Sequence, residues 1–365
     1  MKSSSFVHLR QDGVSLLVSL TPELVRIIHW GEDLGDIKDF QGYLAASIEP
    51  TAHAEGDSPD QSGIWREQAR GAIGSPVLRG HRQGKDFSPL FVLISHSSSE
   101  QELVVVGEDV AAGLRIETRF SFVGAGVLVT TQAVTNIGSG DYFLEDLTTY
   151  LPLPDRAQES LDFAGRWVKE RQPVRRQIQP GVVAREVREG RTSHDYTILQ
   201  LAMTTAATFR TGEVWSLGLM FSGNSRHTIE QLQSGRKSIS AGELLMPGEM
   251  ILEAGKSYEA APVAAVYSNS GIDGTSDRSY RWLRSRADHP TNKRPRPLTL
   301  NVWEAVYFDH DLGKLTELAE VAKKIGVERF VLDDGWFGSR RDDTSGLGDW
   351  VISKDVWPEG LGPLI

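Results

Sequence analysis

The sequence predicts a multi-domain chain: a large β-sandwich over residues 1–290, followed by a βαβ unit of a parallel-sheet fold over residues 291–365. Three observations carry this. Short segments of alternating polarity recur as far as about residue 275, separated by clusters of Gly, Asn, Ser and Asp. A polar, Pro-containing linker follows, Asn292-Lys293-Arg294-Pro295-Arg296-Pro297. Beyond it the pattern changes to strand, helix, strand.

In the first part, Leu114–Phe122 alternates apolar and polar residues, as a half-buried strand does. Val127–Val134 follows a turn at Gly124-Ala125-Gly126, so the two segments form a hairpin. Further strands are expected at Val14–Leu20, Leu24–Trp30, Leu90–Ser95, Glu102–Val106, Thr197–Met203, Val214–Phe221 and Val263–Tyr267. Many short strands with frequent turns describe a sandwich. Residues 51–89 read as a long Gly-, Pro- and charge-rich loop, and such loops are functional or disordered. Residues 155–195 are Arg-rich and suggest no element. A helix is expected after an N-cap at Ser276-Asp277, lined by Tyr280, Trp282, Leu283 and Ala287.

In the second part, Leu298–Trp303 reads as a strand. Asp309 or Asp311 caps a helix running to Ile325, with Leu312, Leu315, Leu318, Ala319, Ala322 and Ile325 on one face. Gly326 stops it. Arg329–Asp333 is a second strand, apolar enough to be covered on both faces.

Composition narrows the function. The 365 residues carry a formal charge of −10, which opposes phosphate backbones and anionic lipid; neither nucleic acid nor membrane is an expected partner. There are no cysteines, so disulfides and thiolate metal sites are excluded. The first ten residues lack the apolar run of a signal peptide, which makes a cytoplasmic location the expectation. Nine tryptophans serve either as core or as flat platforms for sugar rings. His81, His194 and His227 have no second His at ligand spacing, and Gly71-Ala72-Ile73-Gly74-Ser75 lacks the ending of a phosphate loop.

Functional groups in β/α folds gather at the C-terminal ends of parallel strands. Here those ends are Trp303-Glu304 and Asp333-Asp334-Gly335-Trp336. Carboxylates accept hydrogen bonds from sugar hydroxyls, and indoles cover the C–H face of a pyranose. The rival reading is a Mg²⁺ or Ca²⁺ site, to which the flanking indoles contribute no ligand. Neighbouring strand residues point to opposite faces, so Asp333 and Asp334 suit substrate holding better than straddling a scissile bond.

The segments Asn301-Val302-Trp303-Glu304-Ala305-Val306-Tyr307-Phe308-Asp309, Val331-Leu332-Asp333-Asp334-Gly335-Trp336-Phe337-Gly338 and Leu347-Gly348-Asp349-Trp350 closely resemble the start of the barrel in family-36 glycoside hydrolases, the microbial α-galactosidases. Weaker likenesses lie at Gly165–Arg171, Arg191–His194 and Trp215–Asn224. The resemblance implies an N-terminal β-supersandwich followed by the truncated start of a (β/α)8 TIM barrel. It implies retaining hydrolysis of terminal α-galactosyl groups, as in melibiose and raffinose, without cofactor or metal. By the same resemblance Trp303 stacks on the sugar, Asp333 and Asp334 bind galactose hydroxyls, and Trp336 belongs to the same motif. The partners implied are α-galactoside oligosaccharides and, for the full-length enzyme, further copies of itself. The family also directs an acidic residue and a Trp from the N-terminal domain toward the site; Trp65 with Asp57 or Asp86 are the candidates here, the alternative for each being a structural role.

Nothing in the sequence matches the family's nucleophile or acid/base, which are expected downstream, and the segment after Leu298 falls far short of the ~250 residues of a barrel. The expectation is therefore a chain that does not turn over substrate alone. A non-catalytic carbohydrate-binding fragment is the alternative, as is a related α-N-acetylgalactosaminidase or galactosyl transferase.

Overall fold

The computed structural model describes residues 5–48, 62–196 and 199–365. It divides into two compact units, Met1–Arg286 and Ala287–Ile365.

The first unit is mostly β-sheet. In chain order its elements are β1 (Ser5–Gln11), β2 (Val14–Leu20), β3 (Val25–Glu32), α1 (Phe40–Ser47), β4 (Leu78–His81), β5 (Val92–Ser98), β6 (Glu102–Asp109), β7 (Leu114–Phe122), β8 (Val127–Asn136), β9 (Tyr142–Leu147), β10 (Thr149–Leu153), β11 (Ala157–Arg166), β12 (Lys169–Gln177), β13 (Gly181–Val187), β14 (Leu199–Thr204), β15 (Val214–Leu219), β16 (Ser225–Gln231), β17 (Lys237–Glu243), β18 (Met250–Leu252), β19 (Ser257–Glu259), β20 (Val263–Ser268) and α2 (Gly271–Ser285). A ten-stranded antiparallel sheet runs β12-β11-β14-β15-β20-β8-β7-β6-β5, with β19 also on β8. A four-stranded sheet, β10-β17-β16-β13, and two three-stranded sheets, β1-β2-β3 and β18-β9-β4, complete the unit. One continuous core draws on all four sheets, with Leu16, Tyr142, Leu151, Ile229 and Trp215 fully or almost fully buried.

Local chemistry accounts for these elements. Burial alternates along β7, as its period-2 pattern requires, and β7 pairs β8 antiparallel from Leu114↔Asn136 to Phe122↔Leu128. The turn between them has left-handed φ at Gly124, Ala125 and Gly126. A Cβ at Gly126 would stand 2.4 Å from Arg278 Nη1 and 2.8 Å from Val14 Cγ2, so only glycine fits. Arg278 ties α2 to this turn by donating to Asp12 O at 2.8 Å and Ala125 O at 2.9 Å.

Three expectations need correction. Residues 155–195 hold the three strands β11, β12 and β13. They escape a hydrophobicity pattern because β12 is an edge strand of mostly exposed residues, Pro173 among them. Charge holds it in place: Arg175 pairs with Glu159, and Arg176 with the buried Asp162 at 2.8 Å. The described part of the 51–89 loop is not free, since Ile64, Trp65, Val77 and Leu78 are buried and β4 pairs β9. Helix α2 starts six residues earlier than expected, after Ser270, and buries Gly271 and Thr275, whereas Tyr280 and Leu283 are exposed.

The second unit holds β21 (Thr299–Asn301), α3 (Trp303–Val306), α4 (Leu312–Lys324) and β22 (Arg329–Val331). The two strands pair parallel, Thr299↔Arg329 through Asn301↔Val331. Asp311 caps α4 by accepting from Lys314 N at 2.8 Å, and Gly326 ends it at φ +85°. Leu315 and Ala322 are its buried residues; Leu312 and Ile325 stay exposed, so the apolar stripe is narrower than expected. Phe330 and Leu332 are half-buried, so β22 lacks the full two-sided cover its sequence suggests. Among the described residues no helix is long and apolar enough to cross a membrane.

Candidate functional site

The C-terminal ends of β21 and β22 bring three of the predicted residues, Trp303, Asp333 and Asp334, together. Asn301, the last residue of β21, does this with both ends of its amide. Its Oδ1 accepts from Trp303 N at 2.8 Å, an Asx-type turn that stops the strand and begins α3. Trp303 therefore sits in the first turn of a short helix, not at the strand end. The Asn301 Nδ2 donates to Asp333 Oδ2. The indole residue and the first acid are thus joined through one side chain. Asp333 Oδ1 in turn accepts from Asp334 N at 2.8 Å, which fixes the relative orientation of the two acids.

Asp334 has a partner that sequence reading missed. Arg340 Nε donates to both carboxylate oxygens at 2.8 Å, with the two side chains only 7% and 15% exposed. The guanidinium carbon also lies 5.7 Å from the Phe308 ring centroid, and Phe308 meets the Trp303 indole edge-on at 5.1 Å. Acid, cation, phenyl and indole form one connected set. No hydrophobic pattern reveals the Asp334–Arg340 pair; a charge complement six residues along a Gly-containing turn was the available signal.

Gly335 makes the approach of these elements feasible. Its φ is +100°, and a Cβ there would lie 3.1 Å from Phe308 Cδ1 and 3.3 Å from Phe308 Cα. Beside it, burial holds the His310 imidazole below its ordinary value of 6.5.

The remaining predicted residues go elsewhere. Glu304 accepts from the Tyr307 hydroxyl at 3.1 Å, and that bond raises the Tyr307 pKa. Trp336 packs against the second unit's core of Val302, Val306, Leu315 and Trp357, and meets Phe337 edge-on at 5.1 Å. Trp65 is a core residue: it is 4% exposed, its indole N–H donates to Thr118 Oγ1 at 3.1 Å, and Phe91 packs on it at 5.7 Å. A substrate role would require it to leave that core. Asp86 lies in a turn with its carboxylate 3.7 Å from Arg82 Nε. Asp57 falls outside the described residues.

Two of the upstream segments of the resemblance do meet. Trp167, at the β11–β12 hairpin tip and 72% exposed, touches His194 edge-on at 5.6 Å. A cleft of about 210 Å³ in the first unit is lined by Arg26, Arg66, Tyr150, Arg236 and Lys237. Its cations are spent internally: Arg66 pairs with the buried Glu230, Lys237 donates to Asp155 O, and Arg236 to Ser47 O. Among the described residues, no three His, Cys, Asp or Glu side chains gather as metal ligands.

Residues 23–253 match the glycosyl hydrolase family 36 N-terminal domain. The chain belongs to glycosyl hydrolase family 36. Residues 257–365 match melibiase. An alpha-galactosidase of Escherichia coli is 35% identical over 363 residues, covering 99% of this chain and 51% of that protein. Alpha-galactosidase AgaA of Geobacillus stearothermophilus is 31% identical over 274 residues, 74% of this chain and 38% of that protein. The crystal structure of an AgaA variant in complex with raffinose superposes with a TM-score of 0.85 at 26% identity, covering 98% of this chain and 54% of that one. The chain thus spans about half the length of the relatives it matches, or less. Its mostly β first unit corresponds to the N-terminal region of these family-36 enzymes.

Proposed function

We propose that the chain supplies the sugar-recognition half of a retaining α-galactosidase, acting on terminal α-D-galactosyl groups of oligosaccharides such as melibiose and raffinose. The observation that carries this is the linked set Trp303–Asn301–Asp333–Asp334 at the C-terminal ends of two parallel strands. An indole face for the ring and two oriented acids for its hydroxyls are what a galactosyl pocket needs. The names of the relatives, and the raffinose held by one of them, support the same substrate class. In this reading the first unit is a β-supersandwich and the second opens a (β/α)8 barrel. The attacking and protonating carboxyls belong to the part of the family fold beyond these residues, and the full-length enzyme assembles from several copies. Trp336, which packs beside this rim on the second unit's core, belongs to the same recognition set.

Calorimetric titration of this 365-residue chain with galactose, alongside a nitrophenyl α-galactoside assay, tests the proposal. Binding without turnover is expected. Asp334→Asn removes hydrogen bonds to a charged group, a loss of about 1.5–3 kcal/mol, or roughly 10- to 150-fold in affinity. Unchanged affinity in Asp334→Asn and Trp303→Ala would remove both from the site. Turnover by this chain would overturn the placement of the catalytic acids.

A further inference from the structure

We propose that Arg340 is a positioning residue of the sugar site, setting the plane of the Asp334 carboxylate relative to the Trp303 indole; this rests on the galactoside reading of that site. One buried guanidinium makes four connections. Nε is shared between both Asp334 oxygens at 2.8 Å. Nη1 donates to Ser345 O at 2.7 Å. Nη2 lies 3.6 Å from the exposed Asp343 carboxylate. The planar face lies over Phe308, the ring that abuts Trp303. Arg340 is thereby the shared support of the acid, of the 342–346 turn, and of the aromatic that seats the indole.

The chemistry favours arginine for this task. A carboxylate offers about four acceptor positions, and a single N–H shared between its oxygens leaves capacity for sugar hydroxyls. Lysine would keep the charge and lose the planar, multi-armed geometry. The cation also offsets the repulsion between two adjacent acids, since the other polar contacts of Asp333 are to neutral donors, the Asn301 amide and the Asp334 N–H. An acid held in one plane distinguishes an axial hydroxyl from an equatorial one, because only one of them meets the remaining acceptor positions in line. Arg340 therefore governs discrimination between galactose and its C4 epimer glucose, without touching either.

The test is titration of the wild-type chain, Arg340→Lys, Asp334→Asn and the double variant with galactose and with glucose. Arg340→Lys is expected to weaken galactose at least fivefold and to narrow the galactose-to-glucose ratio. The double variant is expected to bind galactose no more weakly than Asp334→Asn alone, because Arg340 acts through that acid. Amide hydrogen exchange over residues 329–340 checks that the unit stays folded. If Arg340→Lys unfolds it, Gly346→Ala is used instead: at φ +79° its added Cβ would lie 3.1 Å from Arg340 Cβ, so Arg340 must shift by a few tenths of an ångström with its charge intact, and smaller losses in the same direction are expected. Losses that multiply in the double variant, or an unchanged sugar ratio, overturn the role of Arg340 while leaving the site standing. A wild-type chain that binds no galactose sinks the site itself, and this inference with it.

Discussion

Replacing Gly335 by alanine probes the joint on which the site depends. The backbone there has φ +100°, a region that costs an L-residue about 1–3 kcal/mol. The new methyl would stand 3.1 Å from Phe308 Cδ1 and 3.3 Å from Phe308 Cα. One of those atoms is backbone and cannot rotate away, so a strain of overpacking is added, again about 1–3 kcal/mol. The combined loss for the second unit is about 2–6 kcal/mol. Phe308 is pressed between Trp303 and Arg340, so any relief displaces one of them. Hydrogen exchange with mass spectrometry over residues 298–310 and 329–340 reads this directly. At 1.4 kcal/mol per decade, exchange through opening of the unit should accelerate roughly 30-fold or more. Galactose affinity should fall alongside it. Acceleration below about threefold would refute the claim that Gly335 is required by the approach of Phe308.

Other outcomes follow from the same structure. Leu315→Ala, at the fully buried centre of the second unit, should cost that unit about 2–5 kcal/mol in urea titration, and a loss under 1 kcal/mol would mean the helix is not seated on its core. Glu230→Gln strands the Arg66 guanidinium, both side chains being 6% exposed, and should destabilise the first unit by about 3–5 kcal/mol; near-neutrality would show that the pair is hydrated. The pH dependence has a definite sign. Burial holds His29 and His310 below 6.5, so the unfolded chain takes up protons first, and stability present above pH 6.5 is lost as pH falls below it. Arg10 holds Asp33 well below its ordinary 3.8, and its contribution drains away as pH drops further under that value. A melting temperature that rises on acidification from pH 7 to 5 would contradict this.

The candidate site was half legible. Trp303, Asp333 and Asp334 stand out because chemically loaded residues sit where two strands end, and that follows from residue order alone. Asn301 and Arg340 do not stand out, because their roles are relations: an amide reaching a neighbouring strand, and a cation returned by a turn to an acid six residues earlier. Trp65 misleads for the converse reason. In sequence it lies in a polar loop, and only the closing of the sheets buries it.

What the sequence determined by itself was local and periodic: the alternation of β7 and β8, the Gly-rich turn between them, the Asp311 cap and Gly326 stop of α4, and the parallel pairing that a strand-helix-strand order requires. Each depends on dihedral preference or side-chain direction over a few residues. Tertiary structure decided what depends on partners distant in the chain. Strand β12 persists through ion pairs and its pairing with β11 rather than through its own hydrophobicity. The site's electrostatics, in which one acid meets a buried cation and the other an amide, likewise exists only once the two strand ends and the following turn are held together.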